Sequence, residues 1–213
     1  MCALGAFLGV GLPALVAMPA GLPKTRVLRK GARWHACALV LLLGCAGPVC
    51  AADAPAVDVE YAVKAAYLYK FAGYVDWPAT SFPNATTPLT IGVVGADRLV
   101  AELARQLAGL SIDSHPVSVA PLKPGDAVNG VQILFIGRDE NPAMKRLLAG
   151  VQARPVLTVT EVAGALGDGS VINFVTTDNR VRFEISLVAA QRNGLKVSSR
   201  LLSVAQQVQT GGP

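Results

Sequence analysis

The chain has 213 residues, of which 52% are hydrophobic and 15% charged, a composition typical of one globular domain with additional segments. Its formal net charge is +5, but five of the 19 Lys and Arg residues lie before Ala52 and none of the 14 Asp and Glu residues does. The rest of the chain carries 14 basic and 14 acidic residues, so there is no overall electrostatic case for binding nucleic acid or an anionic membrane surface.

The first 51 residues have the pattern of a secretory signal peptide. A basic segment at residues 24–33 precedes a short apolar run at 36–44, and Val49-Cys50-Ala51 places small residues at the −3 and −1 positions of a cleavage site. The apolar run is shorter than the ~20 residues that a membrane-spanning helix needs. Residues 1–23 precede the basic segment, and we interpret them as an over-extended start with the initiator at Met18 or later. This pattern predicts export to the periplasm with cleavage near Ala51.

A second interpretation of the leader stays open. Residues 42–45, Leu-Leu-Gly-Cys, resemble a bacterial lipobox, in which Cys45 would be lipidated and become the first residue of a lipoprotein. All the cysteines, Cys2, Cys37, Cys45 and Cys50, precede the favoured cleavage site. The exported domain then has no disulfide, no thiolate metal site and no cysteine nucleophile.

The first predicted helix spans residues 57–74, after a short mobile N-terminus at 52–56. A helical period predicts one apolar, aromatic-rich stripe made of Val63, Ala66, Tyr67, Lys70, Phe71, Tyr74 and Val75. Asp58 can cap the helix, and Trp77-Pro78 closes the segment because the residue before a proline avoids helical space. The stripe predicts a helix that packs on the core, and the alternative is that its ring-rich end also belongs to a contact surface.

Alternating strand and helix patterns follow this helix. Apolar runs predict strands at residues 89–95, 117–119, 132–137 and 155–160. Asp97 can cap a helix that runs to Leu107, and Asn141 can cap one that runs to Val151, with Pro142 at its first position. This order predicts an α/β fold with a single doubly wound, largely parallel sheet flanked by helices.

The C-terminal part departs from that alternation. Strand-like runs at 170–175 and 181–187 are joined by residues 176–180, which predicts a hairpin and therefore an antiparallel edge of the sheet. A helix at 187–193 ends at Gly194. Ser198 or Ser199 then caps a closing helix in which Leu201, Leu202, Ala205 and Val208 are spaced for burial. One domain at 57–209, followed by a tail at 210–213, accounts for the exported part.

The search for chemistry finds few candidates. Gly95 and Gly137 end strands at the edge where doubly wound folds bind ligands, but neither turn carries a dinucleotide or P-loop motif. We interpret them as strand-to-helix turns, with a small-molecule pocket rimmed by Gly95, Asp97, Gly137 and Arg138 as the alternative. His115 is the single histidine after Ala52, which is too few for a usual zinc site. The sequence predicts no catalytic residue, no metal and no cofactor, and hence no enzyme.

The predicted hairpin carries Asn173, Arg180, Arg182 and Glu184 on facing strands. One interpretation is a cross-strand charge pair on a solvated edge. The other is an arginine-rich surface that recognises a carboxylate, a phosphate or a partner protein, since arginines beside aromatic rings are typical of interface hot spots.

Several motifs in a fixed order resemble one known family. They are VKAAYLYKFAGYVDWP at 63–78, ILFIG at 133–137, PVLTV at 155–159, the run from Ile172 to Ile185 that contains IN and RVRFEI, and the ending from Gly194 to Leu202. Over roughly residues 57–209 the chain is similar to the YfiR/HmsC-like periplasmic proteins.

The resemblance implies a non-enzymatic periplasmic regulator. The best-known members bind the periplasmic sensor region of a membrane-bound diguanylate cyclase and hold it inactive, which keeps cyclic di-GMP and biofilm formation low, and members are known as dimers. The described repressors carry disulfides in the mature domain that are linked to redox control. This chain has no cysteine after Ala52, so the resemblance does not carry over a redox switch.

The resemblance and the ring and arginine content together suggest a partner-binding surface. It combines Tyr67, Lys70, Tyr74 and Trp77 of the first helix region with Arg180, Arg182, Glu184 and Arg200. Because most of the helical stripe is predicted to be buried, Lys70 and Trp77 are the helix positions at which contact is best tested. The alternative function is a periplasmic small-molecule-binding protein of a signalling or uptake system.

Overall fold

The computed structural model describes residues 54–211, with side chains from Asp58 onward. The predicted signal peptide, the over-extended start and the lipidation site at Cys45 lie outside the described residues. Within the described range, no helix combines the length and the apolar character needed to cross a bilayer.

The described part of the chain alternates strands and helices. In chain order they are α1 (Ala54–Gly73), β1 (Val75–Asp76), β2 (Leu89–Val94), α2 (Asp97–Leu107), β3 (Ser111–Ile112), β4 (His115–Leu122), β5 (Ile133–Ile136), α3 (Asn141–Val151), β6 (Leu157–Thr160), β7 (Ile172–Thr177), β8 (Arg180–Ser186), α4 (Leu187–Arg192), β9 (Lys196–Val197), α5 (Ser199–Leu202) and β10 (Gln207–Gln209). Short 3₁₀-helices at Ala79–Ser81 and Arg138–Glu140 precede β2 and α3.

Eight strands form one mixed sheet in the order β10-β8-β7-β6-β5-β2-β4-β3. The block β4-β2-β5-β6-β7 is parallel, and β7–β8 and β3–β4 are antiparallel hairpins. The sheet has a core on each face: α1 and α2 cover one face, and α3 covers the other with Met144, Leu148 and Val151. The predicted α/β class with a largely parallel, doubly wound sheet is confirmed.

The orientation of α1 differs from the predicted stripe. The helix buries Lys64, Ala65, Leu68, Phe71 and Ala72, each at 0–1% exposure. Val63 and Tyr74, which the stripe placed inside, are 37% and 38% exposed. Because almost every position here is apolar, several helical phases fit the sequence. Phe71, which the predicted stripe also includes, packs between Phe174 and Phe183 at centroid distances of 5.7 and 4.9 Å, and the helix turns Ala65, Leu68 and Ala72 inward beside it in place of Val63 and Ala66.

The predicted helix caps also differ. The structure begins α1 at Ala54, so Asp58 lies inside the helix, where its carboxylate is 3.5 Å from the Arg98 guanidinium. Asp97 and Asn141 are the first helical residues and not the caps, which are Ala96 and Glu140 and accept no side-chain hydrogen bond. Ser198 does cap α5, because its hydroxyl accepts from the Leu201 N–H.

The predicted closing helix is wrong beyond Leu202. Helix α5 ends there, and Val208 lies on β10, which runs parallel to β8 from Gln207 to Gln209. An uncovered β8 would present unpaired backbone N–H and C=O groups, and β10 pairs with them. The β7–β8 hairpin is therefore not the edge of the sheet, and β10 is.

Candidate functional site

A groove of about 620 Å³ lies between the first half of α1 and the β7–β8 hairpin. The helix contributes Val59, Glu60, Val63 and Tyr67, and the hairpin contributes Thr176, Asn179, Arg180, Val181 and Arg182. The groove thus has an apolar helix wall and a wall with two guanidinium groups. It brings together three residues of the predicted partner surface, Tyr67, Arg180 and Arg182.

The outward face of α1 continues this groove along the helix. From Val59 onward its exposed positions, which we call the outer stripe, are Val59, Val63, Ala66, Lys70 and Gly73, followed by Tyr74. They are spaced by four and three residues in turn, and Val59 is 64% exposed. A 4–3 spacing of apolar and small residues is the pattern with which one helix packs against another. Exposed apolar residues grouped in this way mark an interaction surface.

The two arginines stand between two grooves. Besides the groove on α1, they line a second one of about 560 Å³ with Val204, Ala205 and Gln206. Among ion pairs between described residues, none includes Arg180, Arg182 or Glu184. The interpretation of the hairpin residues as a cross-strand charge pair on a solvated edge therefore does not describe the hairpin, and both guanidinium groups are available to a carboxylate from another molecule.

The hairpin tip determines where these arginines lie. Thr177 pairs with Arg180, and the two residues between them, Asp178 and Asn179, have φ of 50° and 58°. Two successive residues with positive φ form the type I′ turn that suits a two-residue hairpin, and Asp and Asn are among the residues that tolerate it.

The other predicted surface residues are spread over the molecule. Lys70 and Tyr74 are exposed on the outer stripe, and Arg200 is exposed on α5. Glu184 is half-buried in the sheet, where it lies between Asn173 on β7 and Gln207 on β10. Trp77 lines a different cavity beyond the end of α1. The structure thus brings some of the eight residues together and separates Trp77 from the arginines.

Sequence reasoning missed a buried ionic cluster beside the groove. Lys64 of α1 is 1% exposed, and its ammonium group contacts the carboxylates of Glu60 and Glu161. The Glu161 side chain is 2% exposed. Arg138 closes the cluster, with its guanidinium 2.6 Å from Glu60 Oε1 and 3.1 Å from Glu161 Oε2. Two cations and two carboxylates make the cluster neutral, which is the condition under which buried charges are tolerated.

The charges of the cluster and burial shift the pKa values of Glu60, Arg138 and the neighbouring Tyr61. Burial acts to raise the pKa of Glu60, but the hydrogen bond and positive charge of Lys64, followed by Arg138, outweigh it and lower that pKa overall. The hydrogen bond to Glu161 raises the pKa of the Arg138 guanidinium. Burial, then the Glu161 charge, raises the pKa of the Tyr61 hydroxyl. The ion pairs of the cluster fasten α1 to the ends of β5 and β6.

The predicted small-molecule pocket falls at the point where the strand order reverses, between β2 and β5. There the two turns are in close contact, since a Cβ on Gly137 would lie 2.2 Å from the Gly95 carbonyl oxygen. A Cβ on Gly95 would lie 2.3 Å from Glu140 Cγ. Asp97 is exposed at the start of α2, and Arg138 belongs to the ionic cluster. The glycines thus serve close packing of backbone and side chain at this edge.

Within residues 54–211, no group of three His, Cys, Asp or Glu side chains is placed to hold a metal ion.

Comparisons with known proteins were made for sequence and for fold. A family model described as YfiR/HmsC-like matches residues 61–206, from α1 to the residue before β10. A solved conserved domain protein from Vibrio cholerae O1 biovar eltor is similar with 10% sequence identity and a TM-score of 0.49. That match covers 70% of this chain and 60% of the Vibrio chain. No curated protein matches the sequence.

Proposed function

The chain belongs to the YfiR/HmsC-like family, and we propose that it is a periplasmic regulator that holds a membrane-bound diguanylate cyclase inactive by binding its periplasmic sensor region. The family is a regulatory, non-catalytic family of periplasmic proteins. A repressor of this kind needs a protein-binding surface and no catalytic residues.

The observation that carries the proposal is the outer stripe of α1 and the arginine-lined groove beside it. Val59 and Val63 supply apolar contact, and Lys70, Arg180 and Arg182 surround it with positive charge. Glu60 also lines the groove, but Lys64 and Arg138 neutralise its charge. This combination fits an amphipathic helix of the sensor region, with apolar residues at three- and four-residue spacing and acidic residues on its flanks.

Repression then follows from unequal affinity for two states of the sensor. The domain binds the inactive conformation more tightly and so shifts the equilibrium across the membrane by the difference in binding free energy. A shift of the inactive form from 1% to 99% needs a preference of about 10⁴-fold. The outer stripe and the arginines must therefore contact a part of the sensor that differs between its two states.

The proposal is tested with Val63→Asp on the outer stripe and Arg182→Glu in the groove. Val63 is 37% exposed, so a carboxylate there is solvated and the domain stays folded. Each variant should weaken binding to the isolated periplasmic region of the cognate cyclase at least tenfold, about 1.4 kcal/mol, and raise cyclic di-GMP in cells. Binding is measured by calorimetry, and cyclic di-GMP by mass spectrometry of cell extracts.

Two matched controls separate the surface from general damage. Leu110→Asp changes an apolar residue of similar exposure, 40%, outside the stripe. Arg192→Glu reverses an exposed arginine on α4. Both should leave cyclic di-GMP unchanged. If folded Val63→Asp and Arg182→Glu variants also leave it unchanged, the proposed function is wrong.

A second copy of the chain is the competing occupant of the outer stripe. We also propose that the protein is a homodimer, as the family implies, with its dimer contact elsewhere. Sedimentation of Val63→Asp should therefore show an unchanged oligomeric state. Conversion of a dimer to a monomer, with sensor binding intact, would assign the stripe to the second copy.

A further inference from the structure

A cavity of about 510 Å³ lies beyond the C-terminal end of α1, next to β1 and to the first residues of β2 and β4. Its lining includes three rings, those of Trp77, Phe82 and His115, and two carboxylates, those of Asp76 and Asp113. Neither a lysine nor an arginine is among the lining residues. We call this cavity the aromatic pocket, and its volume lies in the range of small-ligand sites.

The rings of the aromatic pocket form a corner. The planes of Trp77 and Phe82 meet at 81° with centroids 6.4 Å apart, and His115 stacks on Phe82 at 4.0 Å and 16°. The Trp77 indole N–H donates to the Ala72 carbonyl at 3.3 Å. Nδ1 of His115 lies 2.8 Å from the Thr87 carbonyl oxygen, which can only accept, so Nδ1 donates. These two hydrogen bonds use N–H groups at the ring edges, whereas the stacking of His115 on Phe82 occupies one face of each of those two rings.

The carboxylates make the pocket mouth negative. Asp76 and Asp113 are exposed, and the ion pairs formed between described residues include neither of them. Lys196 on β9 is the residue paired with Asp76 on β1, but the two side chains form no ion pair. Asp113 is fixed by a two-residue turn in which Asp113 and Ser114 have φ of 49° and 71°. This turn places the Asp113 carboxylate at the rim.

We propose that the aromatic pocket binds a small organic cation with an alkylated ammonium head. Ring faces attract a cation through their quadrupole and exclude water from its alkyl groups, and a nearby carboxylate supplies the opposite charge. A bare metal ion fits this site poorly, since the described residues contain no set of three ligands for one. A neutral apolar ligand would use the rings but leave the two carboxylates without a role. The inference does not depend on repression of a cyclase.

The test compares choline with 3,3-dimethyl-1-butanol, its neutral isostere. The full chain contains two tryptophans, Trp34 and Trp77. The predicted cleavage near Ala51 removes Trp34, and a Trp34→Phe substitution removes it from uncleaved chains, so the fluorescence reports on Trp77 alone. We expect choline to change that fluorescence and to bind about tenfold more tightly than the isostere. Calorimetry gives the two affinities independently of the fluorescence.

Variants assign the binding to the pocket. Asp76→Asn with Asp113→Asn removes both carboxylates and should lower choline affinity about tenfold while leaving the isostere unaffected. Asp97→Asn, an exposed aspartate outside the pocket, is the control and should have no effect. Phe82→Leu keeps apolar volume but removes the ring face, and it should lower the affinity for choline more than that for the isostere.

Two results would overturn the inference. One is equal affinity for choline and its isostere, which would make the pocket a neutral apolar site. The other is no fluorescence change and no heat at about 10 mM of choline, tetramethylammonium and cadaverine, above the millimolar Kd of even a weak complex. Neither result would affect the proposed function, because the outer stripe and the groove are tested with separate variants.

Discussion

The two ends of α1 present surfaces of opposite charge. Near its start, the helix forms a groove with Arg180 and Arg182. Beyond its end, the chain forms the aromatic pocket with Asp76 and Asp113. An acidic partner segment suits the first surface and a cationic ligand the second. One helix can therefore carry two recognition sites that do not compete, because complementary charge directs each ligand to its own end.

The two ends of α1 also differ in the interactions that hold them to the rest of the domain. The first half depends on side-chain charges, since Lys64, Glu60, Glu161 and Arg138 form one buried cluster. The far end depends on backbone pairing and rings: Val75 pairs with Val197, and the Ser198 N–H donates to the Tyr74 carbonyl at 3.0 Å. Removal of one charge of the cluster should therefore lower the stability of the N-terminal half of α1 far more than that of its C-terminal end.

Lys64→Ala is the sharpest test of this difference and should have the largest effect. It leaves the Glu161 carboxylate, whose side chain is 2% exposed, without its ammonium partner. We expect a loss of about 3–5 kcal/mol in the free energy of unfolding, the range for breaking a buried ion pair. Urea denaturation followed by circular dichroism measures it.

Two further variants make that test specific. Lys70→Ala, on the exposed side of the same helix, should change stability by no more than about 0.5 kcal/mol. Lys64→Met combined with Glu161→Leu replaces the pair by apolar side chains and should recover most of the loss, since buried pairs exchange for apolar groups at little cost. A loss below about 1 kcal/mol for Lys64→Ala would show that the cluster does not anchor the helix.

Trp77→Ala tests the other end and should have the second largest effect. The ring is half-buried and its N–H donates to the Ala72 carbonyl at 3.3 Å. We expect a loss of about 2 kcal/mol, less than the 3–5 of a fully buried ring. Binding to the sensor region should stay within about twofold, because Trp77 lies outside the groove and the outer stripe. If a folded Trp77→Ala variant lost sensor binding, both ends of α1 would belong to one sensor-binding surface.

Local patterns predicted most of the sheet and its helices. The apolar runs that form β2, β5 and β6 begin and end within two residues of the predicted places, and α2 and α3 end at the predicted residues but begin one residue early, at the predicted caps Asp97 and Asn141. The three strands are buried on both faces of the sheet, as continuous apolar runs indicate, and α2 and α3 each bury one face, so their helical period has one solution. The phase of α1 was wrong because Ala65, Leu68 and Ala72 offer as good a stripe as Val63 and Ala66 do. Only the rings of β7 and β8 decide between the two, and they lie far away in the sequence.

The sites were harder to predict than the fold. Lys64 and Glu161 are separated by 97 positions, and no local pattern links them; the available signal was a lysine amid apolar residues of one helix. The pairing of β10 with β8 depends on an open strand edge that exists only after the sheet has formed. The arginines of the hairpin were predicted as candidates from the ring and arginine content and from the family motifs, and the fold adds the outer stripe beside them.

Glu60→Gln tests whether the first end depends on pH as its charges suggest. The pKa of Glu60 is lowered in the folded protein, so the folded state favours the ionised carboxylate. Its contribution to stability is present above the unfolded pKa, about 4.3, and is lost as pH falls through the lower folded value. The stability difference between the wild type and Glu60→Gln should therefore be largest above about pH 5 and smaller toward pH 3. Denaturation curves at several pH values measure it, and a difference that does not vary with pH would contradict it.

The tips of the two hairpins, β3–β4 and β7–β8, should show the smallest difference in stability between the two ends. Each site has a type I′ turn beside it, Asp113-Ser114 at the aromatic pocket and Asp178-Asn179 at the groove. Asn tolerates positive φ better than Ser does, and Gly tolerates it best. Ser114→Gly should therefore stabilise the protein by about 0.5–1 kcal/mol and Asn179→Gly by about half of that or less. Thermal unfolding of both variants measures the difference, and an equal gain would mean that the strain at the two tips is the same.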